Sequence, residues 1–491
     1  MSSPAHGVRP RLPTGDAFVP LAAAAALLTG SALAVLGPIG GLVPVAAVAV
    51  ALAAARPRAL LLLYVVAIVL LEDDDLGFLP QRGAFYDGIP SFADVVFGLL
   101  ALATLAWLVQ RRQPIRMPEP FTPALILLGL ALAAGALVGY TARGDATSIA
   151  NSLRAFAPLL VLPLLVVNLI DTKRRLVQAA GVGAALAGIK GLEGLVAWRS
   201  GAGRPLEGTT ITFYEPAANF LLLVVVLGVV AAILLKVGMP LWVRLALPLA
   251  ALALVLSYRR NFWIAAVLGL ALVVLFSRFQ VQRRLLLPMA VAVAVALAAA
   301  LAWRGPPELE GPVAERVGSL SRSQITSNPY ERYRLDEQKN VLAAIRENPL
   351  AGIGLGVPWQ VTHPLPVELE GGRLYSHTVA LWYWLKLGAA GVVAYLWLVL
   401  ATLFTALAVG RKSADGILRA TGLALAAATV GMAVAETTGS FTGVSDRYSI
   451  LVALGFGWLA SARRLALEPE SRPATSTPPA GVARPRAAAG A

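Results

Sequence analysis

Residues 216–235 read PAANFLLLVVVLGVVAAILL, a run without a single charged side chain. An α-helix rises about 1.5 Å per residue, so roughly twenty apolar residues cross a hydrocarbon core of about 30 Å. Because the run has that length and no charge, it is predicted to be a transmembrane helix. It also sets the pattern to look for in the rest of the chain.

Comparable apolar runs lie on both sides of this segment. Of the 491 residues, 58% are hydrophobic and only 14% are charged, which is too apolar for a surface that faces water. The sequence therefore predicts an all-α integral membrane protein with about 12–14 transmembrane helices and one large extracytoplasmic loop. The candidate spans are residues 18–36, 39–55, 59–71, 91–109, 122–142, 152–169, 176–197, 216–235, 240–257, 261–277, 285–303, 389–409, 417–436 and 447–461.

Basic residues next to the spans predict the orientation, because Lys and Arg near span ends are retained on the cytoplasmic side. Arg9 and Arg11 place residues 1–17 in the cytoplasm, and a tail over residues 465–491, rich in Pro, Ala, Ser and Thr, is predicted to be disordered there. The protein is thus expected in the inner or plasma membrane with both termini cytoplasmic. The alternation of spans puts these further clusters on the same side: Arg56 with Arg58, Arg111 with Arg112 and Arg116, Lys173–Arg175, Arg278 with Arg283 and Arg284, Arg411 with Lys412, and Arg463 with Arg464.

The large loop is predicted over residues 304–375, after eleven spans within residues 18–303. It contains an amphipathic stretch, 331–347, that is expected to be helical and to end before Pro349. Three glycines, Gly352, Gly354 and Gly356, then form a flexible turn. Loops of this length that are ordered are usually functional.

The region 376–464 is predicted to hold an interfacial helix and the last transmembrane helices. Its first apolar stretch, 376–409, would be about 50 Å long as one helix and would overshoot the bilayer. A break is therefore expected near Gly388 and Gly391. The part before the break is predicted to lie at the outer interface and to carry His377 at the mouth of the membrane.

Composition excludes several classes of chemistry. The chain has no cysteine, so thiolate chemistry is excluded. With only three histidines, it offers few ligands for a histidine metal cluster. The acidic run 72–75 is a candidate divalent-cation site, but a solvated helix cap is the simpler interpretation. The net charge of +14 lies in short clusters between apolar runs, without the interleaved aromatic residues of a nucleic-acid surface. We therefore expect no nucleic-acid partner, and a metal site, if present, would be carboxylate-based.

Arginines at the predicted outer face are the candidate ligand-binding residues. Arg259 and Arg260 lie at the outer ends of two spans, against the positive-inside preference. They are interpreted either as a guanidinium clamp on an anionic ligand or as a pair that snorkels at the interface. Arg154 and Arg204 add two more cations on the same side, which favours the clamp.

His377 is the candidate catalytic residue. A histidine at neutral pH can accept a proton from a sugar hydroxyl, although a single histidine is more often structural. His363, in Thr362-His363-Pro364, is interpreted as a loop residue. Lys190 and Glu193 lie three residues apart within a span and are expected to pair with each other, because isolated charges in lipid are costly.

Four segments of the sequence carry recognisable motifs. The most specific pair is Arg334 ahead of Val341-Leu342 and the turn 347–356, followed by Ser376-His377 with Leu381, Leu385, Gly388 and Gly391. Two weaker segments are 257–263 and 204–219. Together the four segments resemble the O-antigen ligase and polymerase superfamily, and the similarity spans roughly residues 150–460. The chain departs from the family pattern at Thr378 in place of Asn, at Gln338 in place of Trp, and at 214–217 in place of Asn-Pro-Asn.

The resemblance implies a metal-independent, inverting transfer, without a cofactor, from a polyprenyl-diphosphate-linked glycan to a glycan or lipid acceptor at the membrane. It implies that Arg154, Arg204, Arg259, Arg260 and Arg334 hold the diphosphate and that His377 activates the acceptor hydroxyl. The long loop is then expected to fold back over the outer ends of the spans and to cap the cavity that holds these groups.

Two questions stay open at the level of sequence. A polymerase and a ligase of this family are not separated by these motifs, and the high number of spans leans towards a polymerase. A transporter or flippase for lipid-linked oligosaccharides would also combine many spans with cationic groups. It would more typically show an internal repeat with interrupted helices at corresponding positions, and the sequence shows no such repeat.

Overall fold

The computed structural model of the chain describes residues 56–70, 92–200, 204–206, 209–211, 216–277, 329–367, 372–439 and 441–468. The predicted spans 18–36, 39–55 and 285–303, the N-terminal segment 1–17, the acidic run 72–75 and most of the tail lie outside these residues. Every other predicted span is helical in the structure.

The described residues form twelve α-helices, one short 3-10 helix at Gly372–Leu374 and one small antiparallel hairpin, in which Arg204 pairs with Ile211. The strands are β1 Arg204–Leu206 and β2 Thr209–Ile211. The helices are α1 Pro57–Leu70, α2 Phe92–Gln110, α3 Thr122–Thr141, α4 Ala146–Leu169, α5 Lys173–Ser200, α6 Pro216–Leu234, α7 Leu241–Leu256, α8 Arg260–Phe276, α9 Pro329–Glu347, α10 Val379–Lys412, α11 Gly416–Ala435 and α12 Asp446–Leu467.

Length and composition make this a multi-pass membrane protein, as the sequence predicted. Eight of the described helices, α2–α6 and α10–α12, are long and apolar enough to cross a bilayer, and α1, α7 and α8 are shorter apolar helices. Within α5, Lys190 and Glu193 form the expected ion pair, with 2.8 Å between Nζ and Oε2. The pair offsets the cost of a charge within an apolar helix.

The bundle has two distinct ends, and α9 lies at one of them, which is called the α9 end below. There the Asn261 side chain reaches the carbonyl of Ala435 (3.4 Å), and the amide of Val379 donates to the carbonyl of Glu436 (3.2 Å). The described basic clusters gather at the opposite end, where Lys173 pairs with Asp415 and Arg464 donates to a carbonyl of α4's C-terminal cap. This grouping is the one the alternation of spans requires, and which end faces the cytoplasm stays a prediction.

Helix α10 runs over 34 residues but is broken at Gly388, whose φ of 66° and ψ of −163° are not helical. The turn that follows α9 fills this break. The amide of Ile353 donates to the carbonyl of Leu385 (2.7 Å), and the amide of Ala389 donates to the carbonyl of Leu350 (3.2 Å). A Cβ atom at Gly388 would overlap that carbonyl of Leu350. The predicted break in the apolar stretch is therefore confirmed at Gly388.

The same turn also packs against α3. The amide of Leu355 donates to the carbonyl of Gly135 (2.9 Å), and Gly354, with φ of 89°, touches the backbone of Gly139 so closely that a Cβ atom on either residue would overlap the other segment. Only glycine combines that backbone conformation with such a close approach. The turn therefore fixes α9 to two membrane helices at once.

Helix α9 lies along the first half of α10. Val341 and Ile345, four residues apart on one face, pack with Trp359 and Leu385 in a small apolar cluster. The indole N–H of Trp384 donates to the carbonyl of Pro349 (2.8 Å), which ties α10 to the end of α9. This packing positions the N-terminal half of α9 beside the start of α10, where His377 precedes the helix.

Candidate active site

A buried carboxylate of α9 faces His377. Tyr333, Glu337, Val341 and Ile345 follow one another at intervals of four residues, so they form one buried stripe on the helix. Glu337 is fully buried, and its Oε2 atom lies 2.9 Å from Nδ1 of His377 and accepts the main-chain N–H of His377 at 3.0 Å. The glutamate therefore holds both the ring and the backbone of the histidine.

This arrangement determines which ring nitrogen is available for chemistry. A carboxylate at Nδ1 favours the tautomer that carries its proton there, so Nε2 keeps its lone pair and can act as a base. The Nε2 atom lies 3.5 Å from the hydroxyl of Tyr375, and the His377 side chain is 17% exposed, so it remains reachable. When the ring gains a proton, the buried charge of Glu337 stabilises the imidazolium.

Two tyrosines flank the imidazole. The Tyr333 ring meets it edge-on with centroids 6.0 Å apart, and the Tyr375 ring is tilted against it at 5.1 Å. Burial, together with the negative charge of Glu337, raises the pKa of Tyr333 to about 12. Tyr333 is thus neutral at physiological pH.

The segment around His377 is held on both sides. The Thr378 hydroxyl accepts a hydrogen bond from Nε2 of Gln338 on α9 (3.0 Å) and donates one to the carbonyl of Thr437 after α11 (3.2 Å). Gln338 and Thr378 are two of the positions at which the chain departs from the family pattern. Because these two side chains hydrogen-bond to each other, the two departures from the family pattern belong to one contact.

A second buried polar residue of α9 holds the loop beside the site. The Asn340 side chain accepts the amides of Thr362 (2.7 Å) and His363 (2.6 Å) and donates to the carbonyl of His363 (2.9 Å). The His363 side chain is exposed, so its position agrees with its interpretation as a loop residue. Trp359 then ties this loop to the carbonyls of Arg373 and Tyr375, the latter two residues before His377.

Two of the predicted arginine groups lie at the same end of the bundle as this site. Arg334 is half-buried on α9, one turn before Glu337, and residues three apart on a helix have Cβ atoms about 5–6 Å apart. Since the Glu337 carboxylate contacts His377, Arg334 lies well within the roughly 20 Å over which two charged groups can share a site. Arg259 and Arg260 are half-buried at the start of α8, joined to the His377 segment through the end of α11.

The two remaining arginines have different surroundings. Arg154 on α4 forms ion pairs with Asp94 (3.1 Å) and with Asp446, so two carboxylates offset its charge. Arg204 begins β1, at the same end of the bundle as α9, and its side chain lies outside what the structure describes. No group of three or more His, Asp or Glu residues in the described ranges is arranged to hold a metal ion.

Sequence reasoning missed Glu337, Tyr333 and Tyr375. A signal for the first was present, because Glu337 is the one acidic residue in a stripe at intervals of four that otherwise holds Tyr333, Val341 and Ile345. A carboxylate on the face that packs inward needs a partner. No comparable pattern marks the tyrosines.

Comparison with known families agrees with the motifs of this site. The family model described as O-Antigen ligase matches residues 245–396, which include Arg259, Arg260, Arg334 and His377 and leave Arg154 and Arg204 outside. No curated protein matches the chain significantly. Residues 245–396, which carry the loop and histidine motifs, are thus similar to the O-antigen ligase family, and the eight long apolar helices make the chain a multi-pass membrane protein.

Proposed function

We propose that the protein transfers or polymerises a glycan carried on polyprenyl diphosphate, at the extracytoplasmic face of the membrane, with His377 as the general base. The observation that carries the proposal is the buried Glu337 carboxylate at 2.9 Å from Nδ1 of His377. A carboxylate, an imidazole and an accessible Nε2 form the arrangement that activates a hydroxyl group in acyl-transfer enzymes, and the same proton transfer serves a sugar hydroxyl.

In the proposed reaction, Nε2 of His377 takes the proton of an acceptor hydroxyl as its oxygen attacks the anomeric carbon of the donor sugar. Attack comes from the face opposite the diphosphate, so the configuration inverts. The bond between the anomeric carbon and the diphosphate oxygen breaks, and the electron pair leaves with the diphosphate. Glu337 balances the imidazolium that forms, and no metal ion is needed for any of these steps.

The leaving group needs several cations, because a diphosphate carries more than one negative charge and must lose part of its hydration at the site. Arg334 and one of Arg259 and Arg260 are proposed to supply them, with Arg204 from the hairpin. Such preorganised charge lowers the barrier to departure of the diphosphate. A role for Arg154 in the same set requires the diphosphate to displace Asp94 or Asp446 from it.

The test is transfer by the purified protein in proteoliposomes, with a labelled glycan on polyprenyl diphosphate as donor. We expect a larger labelled product and released polyprenyl diphosphate from the wild type, and a rate about a thousandfold lower from His377→Ala, the size of a lost general base. His363→Ala is the matched control, since that exposed imidazole lies in the neighbouring loop, and it should keep the wild-type rate.

The same assay separates the alternatives. A free lipid-linked repeat unit as acceptor tests polymerisation, and a lipid without a glycan chain tests ligation. If His377→Ala turns over as fast as the wild type, His377 is not the base. If the label only crosses the bilayer and stays on its original carrier, the protein is a transporter and the proposed transfer is wrong.

A further inference from the structure

Glu436, the residue that follows α11, is a second buried glutamate beside the His377 segment. Only 1% of it is exposed. Its Oε1 atom accepts hydrogen bonds from the amide of Thr442 (2.9 Å) and from the Thr442 hydroxyl, and its Oε2 atom accepts the hydroxyl of Tyr395 at 2.7 Å. One side chain therefore joins the end of α11 to the membrane part of α10 and to the segment before α12.

The backbone of the same residue holds the start of α10. The carbonyl of Glu436 accepts the amide of Val379 (3.2 Å), and the next carbonyl, that of Thr437, accepts the Thr378 hydroxyl (3.2 Å). These contacts are one and two residues after His377. The histidine is thus held by Glu337 of α9 on one side and by the backbone at 436–437 on the other.

The chemistry of the Glu436 contacts differs from that of Glu337. The Glu436 carboxylate accepts hydrogen bonds from two hydroxyl groups and one amide, all of them neutral. Within the ranges the structure describes, it forms no ion pair with a Lys, Arg or His. Burying a carboxylate without a cation is costly. Glu436 therefore acts in these contacts as a hydrogen-bond acceptor through both of its oxygen atoms, and not as a member of an ion pair.

We infer that Glu436 is a positioning residue for His377: through its bonds to Thr442 and Tyr395 it fixes the backbone at 436–437, which sets the position of residues 377–379. This role rests on the proposed function of His377. Glu337 acts on the histidine through charge, whereas Glu436 acts through the length and acceptor pattern of its side chain. Loss of charge should therefore lower kcat at Glu337, whereas loss of side-chain length should lower kcat at Glu436.

Two changes at Glu436 separate geometry from charge. Glu436→Gln removes the charge and keeps the length, and its amide can still accept from Thr442 and bond to the Tyr395 hydroxyl, which both donates and accepts. Glu436→Asp keeps the charge but is one methylene too short to reach Thr442 and Tyr395 together. We expect Gln to keep kcat within about threefold of the wild type, and Asp to lower it about tenfold to a hundredfold, the size of a small misplacement of a reacting group.

A misplaced base lowers kcat and leaves donor KM nearly unchanged, since the arginines proposed to bind the donor keep their places. Asn168→Ala is the control for a general loss of stability: Asn168 is also buried and polar, and it bonds to the backbone of Arg116 at the opposite end of the bundle. Its kcat should match the wild type even where its thermal unfolding midpoint falls.

The outcomes decide between the inference and the proposed function. If His377→Ala is inactive but Glu436→Asp has the kcat of the wild type, or outperforms Glu436→Gln, Glu436 does not position the histidine through its geometry. If Glu436→Asp does not fold, Tyr395→Phe removes one anchoring bond alone, and an unchanged kcat in that variant overturns the inference. Full activity of His377→Ala would instead refute the proposed function.

Discussion

At the scale of single residues, the site consists of an imidazole that two different elements hold in place. The sequence indicates His377 as the candidate, because it is the one histidine that precedes a membrane helix in a recognisable motif, and its catalytic role stays a prediction. Its partner Glu337 lies 40 residues earlier, and only the packing of α9 on α10 brings the two together. A contact of that separation depends on the fold and not on local sequence, which is why the pair could not be assigned beforehand.

Glu337→Gln should lower kcat by about a hundredfold or more, because the imidazolium that forms on proton transfer loses its buried counter-charge and the ring loses its preferred tautomer. Asp336→Asn is the matched control, being the same chemical change one residue along the helix. Asp336 pairs with Lys339 at 2.7 Å and not with the histidine, so its variant should keep kcat. Equal rates for the two variants in the transfer assay would show that the carboxylate at 337 does not support the base.

At the scale of elements, the turn after α9 is the part that fixes α9 to the bundle. The break in α10 followed from length alone, since the apolar stretch exceeds the bilayer. What fills the break did not follow from it. The contact of Gly354 with Gly139 joins residues 215 positions apart in the sequence, and nothing in either segment alone indicates the other.

Gly354→Ala should lower the free energy of unfolding by at least about 2 kcal/mol, because the residue has a φ of 89° and its new methyl group would overlap the backbone of Gly139. Gly98→Ala in α2 is the control, since a Cβ atom there meets nothing within 4 Å. Thermal unfolding in detergent measures both variants. A Gly354→Ala protein as stable as the Gly98→Ala protein would mean that the turn does not dock on α3 as the structure has it.

At the scale of the whole molecule, the sequence predicts where the spans lie in the chain but not which spans pack against one another. In the most apolar 18-residue stretch of each helix, 78% of the residues are buried in α6 and only 39% in α3. Both helices are nevertheless apolar around their whole circumference. Amphipathic periodicity reports burial only where the exposed face is polar, and a lipid-facing helix has no such face. The order of packing in the bundle, including the place of α9, is therefore beyond what hydropathy can predict.

The orientation of the bundle is the prediction on which the extracytoplasmic placement of the site depends. The described basic clusters lie at the end opposite α9, so the positive-inside preference puts α9 outside.

The chain contains no cysteine, and single cysteines introduced by substitution are therefore unambiguous probes. Val361→Cys in the loop beside α9, where Val361 is 45% exposed, should react with a membrane-impermeant maleimide in intact cells. Gln113→Cys, exposed between α2 and α3 at the opposite end, should react only after the membrane is made permeable. The reverse pattern would place His377 in the cytoplasm, where a donor delivered to the outer leaflet would not reach it.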